Sequence, residues 1–147
     1  IVAMPAATIG TAGAKTRVLR VRGGFTSTNF SGPSCASPIN LCAAGTFTGG
    51  IHGPFMAIAT SLAPGPQPGV ALGTADVVIH DSRGDLLCTE TFVVNITPGG
   101  DGEEGDICHF TGGTREFANV SGHIEAYGST PPGQINSGRY QGKLTRP

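Results

Sequence analysis

Apolar and polar residues alternate at period two along much of the chain, most clearly in residues 107–144. In residues 121–127, for example, polar side chains alternate with Gly122, Ile124 and Ala126. A half-buried strand needs this alternation, whereas an amphipathic helix needs a period of about 3.6 residues. The sequence shows neither a sustained helical period nor a capping box. The pattern therefore predicts strands and very little helix.

The same criterion predicts strands along most of the chain, separated by turn-forming segments. The predicted strands are 16–23, 45–62 with a glycine bend at 49–50, 73–80, 85–94 continuing through a hairpin to 110, 117–127 and 138–144. Residues 26–44 are predicted as a long polar loop, and the prolines of 63–69 exclude a strand interior there. Residues 1–14 are predicted as a loosely ordered N-terminal arm.

About eight sequential antiparallel strands leave two exposed sheet edges unless the sheet closes on itself. Glycine corners at 49–50, 99–100 and 112–113 permit the strong coiling that closure demands. We therefore predict an all-β protein, a single domain over 1–147 that forms an antiparallel up-and-down β-barrel of about eight strands or a near-closed meander. The alternation does not fix which faces point inward, because a one-residue change of register exchanges them.

Composition narrows the classes of function. The chain has 147 residues, of which 38% are hydrophobic and 13% charged, so it can bury a real core. A net charge of −1 offers no electrostatic attraction to a nucleic acid. No apolar run reaches the length of a membrane-spanning helix. The first seven residues lack the basic and apolar regions of a signal peptide, so we expect any such peptide to have been removed.

Four cysteines indicate the cellular compartment. Cys35 and Cys42 lie close together in the predicted polar loop, and Cys88 and Cys108 flank a predicted turn centred at Pro98. This symmetry favours two disulfides, Cys35–Cys42 and Cys88–Cys108. A zinc site is the alternative, although the spacings differ from the paired C-x2-C of zinc ribbons. The disulfides would place the protein in the secretory pathway or outside the cell.

Three glycosylation sequons agree with secretion if the source is eukaryotic. They begin at Asn29, Asn95 and Asn119.

A family resemblance rests on residues 109–122, HFTGGTREFANVSG. This segment is similar to the GGTGRFxxAxG signature of the allene oxide cyclase and dirigent superfamily, and residues 73–86 and 138–144 support the match. Glu116 beside Arg115 departs from the pattern. The resemblance covers the C-terminal half well and the first forty residues poorly.

That resemblance implies an eight-stranded antiparallel barrel, often a homo-oligomer such as a dimer or trimer. Members of the superfamily, including microbial spirotetronate-type Diels–Alder cyclases, bind a hydrophobic reactive intermediate in the lumen and steer its cyclisation, coupling or cycloaddition. Their catalytic residues do not lie in the matched segment, so none is carried over to a position of this chain.

Glu90 is the first candidate for chemistry. It shares a strand face with Cys88, Phe92 and Val94. A carboxylate pointing inward among them would have a raised pKa and could move a proton. The alternative is an outward glutamate on a solvated face.

Further catalytic candidates are His109 and the trio His123, Glu125 and Tyr127, which places a base, an acid and a phenol on one strand face. An inward trio would be a site, and an outward trio an ordinary polar exterior. Candidate substrate-binding residues are Arg20, Phe55, Phe92, Phe110 and Tyr140.

No metal-ligand, phosphate-binding or nucleophile motif is present in the sequence, so we expect neither cofactor nor metal. Two functions remain. The first is a cofactor-independent cyclase of secondary metabolism, of isomerase or lyase type, acting on a hydrophobic intermediate in its lumen. The second is a non-catalytic secreted module that binds a small hydrophobe or another protein.

Overall fold

A computed structural model describes residues 13, 15–131 and 135–147. It contains eight strands and a single turn of 3-10 helix at Arg115–Phe117. The strands are β1 (Arg17–Phe30), β2 (Cys42–Gly49), β3 (Gly53–Pro64), β4 (Val70–Asp81), β5 (Gly84–Ile96), β6 (Gly102–Gly113), β7 (Ser121–Thr130) and β8 (Asn136–Arg146). Apart from residue 13, the predicted arm at 1–14 lies outside the described residues.

Each strand pairs antiparallel with the next along the chain, and β8 pairs with β1. The sheet therefore closes, which confirms the predicted all-β, eight-stranded up-and-down barrel. In the part of the chain that the structure describes, no helix is long and apolar enough to cross a membrane.

The predicted loop at 26–44 is wrong at both ends. β1 continues to Phe30 and β2 begins at Cys42, so the loop is confined to residues 31–41. Residues 26–30 form a strand because all of them pair with β2 on one side. On the other side, Thr26 and Ser27 also pair with β8. The sequence did not indicate this strand because residues 26–30 are mostly polar. Even the inward-facing position between Phe25 and Asn29 is a serine, Ser27, rather than an apolar residue. The predicted Cys35–Cys42 disulfide is present and ties this loop to β2.

The predicted Cys88–Cys108 disulfide is also present and links β5 to β6 on the inner wall, where both cysteines are buried. The two residues are not directly opposite, because Cys88 pairs in register with Phe110 and Cys108 with Glu90. The connecting loop is centred on Gly99 rather than Pro98. Cys108 therefore lies two residues from Phe110, the residue directly opposite Cys88. The Cα–Cα distance of 5.6 Å lies within the range that a disulfide spans.

One end of the barrel is filled by apolar side chains. The largest fully buried ones at this end are Ile51, Ile79, Leu86, Phe117, Ile124 and Leu144. Phe117, which follows the glycine corner at 112–113, has 0% exposure.

An ion pair lies among these apolar residues. The Asp81 side chain is 1% exposed and accepts hydrogen bonds from Arg83 Nε at 2.9 Å and Arg83 Nη2 at 2.8 Å. The backbone N–H of His52 donates to the same carboxylate at 2.9 Å, and the guanidinium lies 5.1 Å from the Phe117 ring centroid. Burial alone would raise the pKa of Asp81, but the hydrogen bonds from Arg83 and His52 outweigh it and hold the pKa well below its usual range.

Replacing this carboxylate tests how far it stabilises the closed end. We expect Asp81→Asn to lower the free energy of unfolding at pH 7 by about 2–3 kcal/mol, because Arg83 and the His52 N–H lose a charged acceptor. Since the pKa of Asp81 is lower in the folded protein than its ordinary 3.8, this stabilisation is present above that pH and is lost as the pH falls below it. Denaturant unfolding across pH 2–7 measures both effects.

Asp85→Asn is the matched control, because it removes the exposed pair formed by Asp85 and His80. That pair should contribute less than about 1 kcal/mol. Equal losses in the two variants would contradict the role assigned to Asp81.

Candidate functional site

The opposite end of the barrel is open. A cavity of about 380 Å³ enters between the ends of β3, β5 and β6 and narrows into a chamber of about 60 Å³ within the barrel. Its walls are mostly apolar, and the side chains that form them include Ala57, Ala59, Leu62, Phe92, Val94 and, deeper, Phe25, Phe47, Phe55 and Val77. The lumen is therefore partly filled and partly hollow, with room for one small molecule.

Three carboxyl groups line both parts of this cavity, namely Glu90 on β5 and Glu104 and Asp106 on β6. Period-two alternation turns all three inward. The register pairs Glu90 with Cys108 and Phe92 with Asp106, so the carboxyl groups occupy neighbouring inward positions on one wall. The Cys88–Cys108 disulfide joins the same two strands immediately below them, toward the closed end.

Burial without a compensating cation raises the pKa of each carboxyl group. Burial first, and then the charge of Glu104, raises the pKa of Glu90 to about 7. Burial, and then the charges of Glu90 and Glu104, raises the pKa of Asp106 to about 9. Burial also raises the pKa of Glu104, although the hydrogen bond from Asn136 opposes it. This cluster consequently retains protons at neutral pH.

Asn136, at the start of β8, forms a hydrogen bond with one of the three carboxyl groups, that of Glu104. It is 7% exposed, and its Nδ2 donates to Ser27 Oγ at 3.2 Å and to the Glu104 carboxylate. Gly128 on β7 leaves space for this contact, because a Cβ there would lie 2.7 Å from Asn136 Oδ1 and 3.1 Å from Glu104 Oε1. Asn136 Oδ1 and Asp106 Oδ1 are buried and accept no hydrogen bond from protein groups.

Sequence reasoning anticipated part of this wall. Glu90 points inward and has a raised pKa, which is the first of the two alternatives considered for it from the sequence. Phe55 and Phe92, both predicted to bind substrate, line the cavity. Glu104, Asp106, Ser27 and Asn136 were missed. One signal in the sequence could have revealed two of them, because Glu104 and Asp106 lie at steps of two from Cys108 and so share its strand face. The neighbouring glycines and acidic residues, which are typical of a turn, obscured that signal.

Three predicted substrate-binding residues lie elsewhere. Phe110 packs in the core and Arg20 points to solvent from β1. The Tyr140 hydroxyl accepts from the Ile51 N–H at 2.8 Å and is within 2.9 Å of the Thr48 carbonyl oxygen, to which it donates. These bonds occupy the hydroxyl at the filled end. Tyr140 is therefore a structural residue there and not part of the cavity wall.

The remaining predicted catalytic residues lie on the outer surface. His109, His123, Glu125 and Tyr127 alternate with buried neighbours such as Ile124, which occupy the inward positions. Tyr127 is 67% exposed, and the rings of His109 and His123 lie 5.7 Å apart on the outer wall. The outward alternative therefore holds for these four side chains, and the prediction that they act in the lumen is wrong.

The sequons occupy exposed positions. Asn95 lies on the outer face of β5, Asn119 follows the 3-10 turn with a φ of 59°, and Asn29 lies at the rim of the cavity. Their glycosylation stays a prediction.

Among the described residues, no three His, Cys, Asp or Glu side chains come together as a ligand set for a metal ion. The chain matches no family model and no curated protein.

The raised pKa of Asp106 predicts how stability depends on pH. Because this pKa is higher in the folded protein than its ordinary 3.8, the contribution of Asp106 to stability is fully present below about pH 4 and is lost as the pH rises through about 9. We expect the free energy of unfolding of the wild type to fall by on the order of 5 kcal/mol between pH 5 and 9. Asp106→Asn should reduce that fall by at least half.

Denaturant unfolding at several pH values measures this dependence. Asp76→Asn is the control, because Asp76 lies on the outer face of β4 opposite Thr89. An identical pH dependence in the wild type and Asp106→Asn would contradict a buried, uncompensated carboxyl group at this position.

Proposed function

We propose that this protein is a cofactor-independent barrel cyclase, related to the allene oxide cyclase and dirigent superfamily. It binds a hydrophobic reactive intermediate in the open cavity and directs a stereoselective cyclisation or cycloaddition. The observation that carries the proposal is the wall of three carboxyl groups in an otherwise apolar, one-ended lumen.

The apolar walls supply the first element of catalysis. A flexible intermediate bound between Phe55, Phe92 and Val94 loses conformational freedom and is held in one folded arrangement. Because the far end is filled by Ile51 and Phe117, the reactant enters and leaves by the same mouth. This confinement favours one stereochemical course.

The carboxyl groups supply the second element. Asp106, with a pKa raised to about 9, is the proton donor, whereas Glu90, with a pKa of about 7, exchanges protons near neutrality. Ionised members of the cluster stabilise positive charge that develops on the reactant. The apolar surroundings strengthen these interactions by excluding water.

Secretion, glycosylation and a homo-oligomeric state belong to the same proposal. The two disulfides support an oxidising compartment, and the closed eight-stranded barrel is the architecture that the family resemblance implies.

Citronellal, an apolar aldehyde with a distant alkene, is a suitable probe. Acid-promoted closure joins the carbonyl carbon to the alkene, moves a proton from an allylic methyl group to the oxygen and yields stereoisomers of isopulegol, with the acid regenerated. We expect the wild type to bias the isomer ratio and accelerate closure, and Asp106→Asn to lower the rate about 100-fold. The rate should fall as the pH rises from 7 to 9, since the donor loses its proton.

Chiral gas chromatography measures the isomer ratio, and Asp76→Asn on the outer wall should behave as the wild type. If wild type, Asp106→Asn and buffer give the same ratio and rate, the acid cyclase proposal fails. The non-catalytic hydrophobe-binding module would then be the better account of the cavity.

A further inference from the structure

The cavity wall presents hydrogen-bond acceptors that no protein group satisfies. Asn136 is 7% exposed, and its amide is oriented with Nδ2 toward Ser27 and Glu104, which leaves Oδ1 as a buried acceptor without a partner. Asp106 Oδ1 is likewise buried without a partner. A buried acceptor without a hydrogen bond is unfavourable, so a ligand that donates hydrogen bonds here is favoured.

The charges around this point have one sign. Glu90, Glu104 and Asp106 face the lumen, and Glu103 lies at its rim. The strands packed on either side contribute no titratable group, since β4 presents Ala75 and Val77 and β7 presents Ala126 and Gly128. Among the described residues that line the cavity there is no Lys, Arg or His.

A cation is thus the complement of this wall, and the described residues do not provide the ligand set that a metal ion would need. An organic ammonium group has three donors in a compact head. It would satisfy orphaned acceptors and carboxylates together, while its apolar body lay against Phe92, Val94 and Leu62 toward the mouth.

We propose that the lumen selects an apolar molecule that carries a protonated amine, anchored by Glu90, Asp106 and the Asn136 carbonyl oxygen. This inference rests on the lumen as the binding site of the proposed function and adds the substrate class.

Binding of a cation must be linked to protons. An ammonium group favours ionised carboxylates, whereas burial and mutual repulsion keep protons on Glu90 and Asp106 in the free protein. Amine binding therefore releases protons and tightens as the pH rises from 5 to 8. A neutral ligand of the same shape shows neither effect.

The test compares 2-(1-naphthyl)ethylamine with 2-(1-naphthyl)ethanol by isothermal titration calorimetry. The two probes share an apolar body, and the amine stays protonated below its pKa, about 10 as for a lysine side chain. For the wild type at pH 8, we expect the amine to bind at least about 10-fold more tightly than the alcohol. The ratio should shrink toward one at pH 5, and titrations in two buffers of different ionisation enthalpy should show proton release.

Isosteric variants locate the anchor. Glu90→Gln combined with Asp106→Asn should reduce the amine preference to within about 2-fold while leaving alcohol binding unchanged, because shape is kept and charge is removed. Asp76→Asn should retain the wild-type preference. Circular dichroism reports whether the double variant folds, and the pH dependence of the wild type tests the proposal without any variant.

The outcomes separate this inference from the cyclase. The amine anchor is overturned if the alcohol binds as tightly as the amine or more tightly at pH 8, or if the amine binds without proton release. In either case the citronellal test still decides whether the protein is a cyclase. A pH-dependent amine preference with unaltered citronellal chemistry supports the anchor and rejects the acid cyclase. If neither probe binds, both the anchor and the lumen as a binding site fall.

Discussion

Closure of the sheet is the constraint on which the rest of this structure depends. Once β8 pairs with β1, every second side chain of eight strands must enter one enclosed space, whatever its chemistry. Most of these positions hold apolar residues and make a core. Glu90, Glu104 and Asp106 fall on the same parity as Cys88, Phe92 and Cys108, and closure buries them with their neighbours.

The buried carboxyl groups of the barrel lie in two opposite kinds of environment. At the filled end, Asp81 receives a bidentate arginine and a backbone N–H, so its charge is stabilised and its pKa falls. At the open end, Asp106 has no cation and an orphaned oxygen, so its pKa rises to about 9. The first arrangement stabilises the fold, whereas the second is stabilised only by protons or by a ligand. This contrast makes the open end the candidate functional site.

Sequence patterning predicted much of the architecture, because alternation and glycine corners depend on local backbone geometry. It predicted the inward alternative for Glu90, whose neighbours at steps of two are Cys88 and Phe92. It missed Glu104 and Asp106, because the surrounding glycines and acids are equally typical of a turn.

The face carrying His123 could not be assigned, because Gly122 and Ala126, on the alternate face, are too small to mark it as the core side. Asn136 approaches Ser27 and Glu104 only through closure, across 109 and 32 residues of chain, so no local pattern reveals that cluster.

Carboxyl ionisation in the folded protein is the most direct test of this account. Carbon-13 NMR of side-chain carboxyl groups, assigned with Glu90→Gln and Asp106→Asn, reports the pKa of each group separately. We predict that the resonances of Glu90 and Asp106 titrate with midpoints near 7 and 9. Midpoints below about 5 for both inward groups would show that the wall is solvated or paired, and would contradict the lumen site.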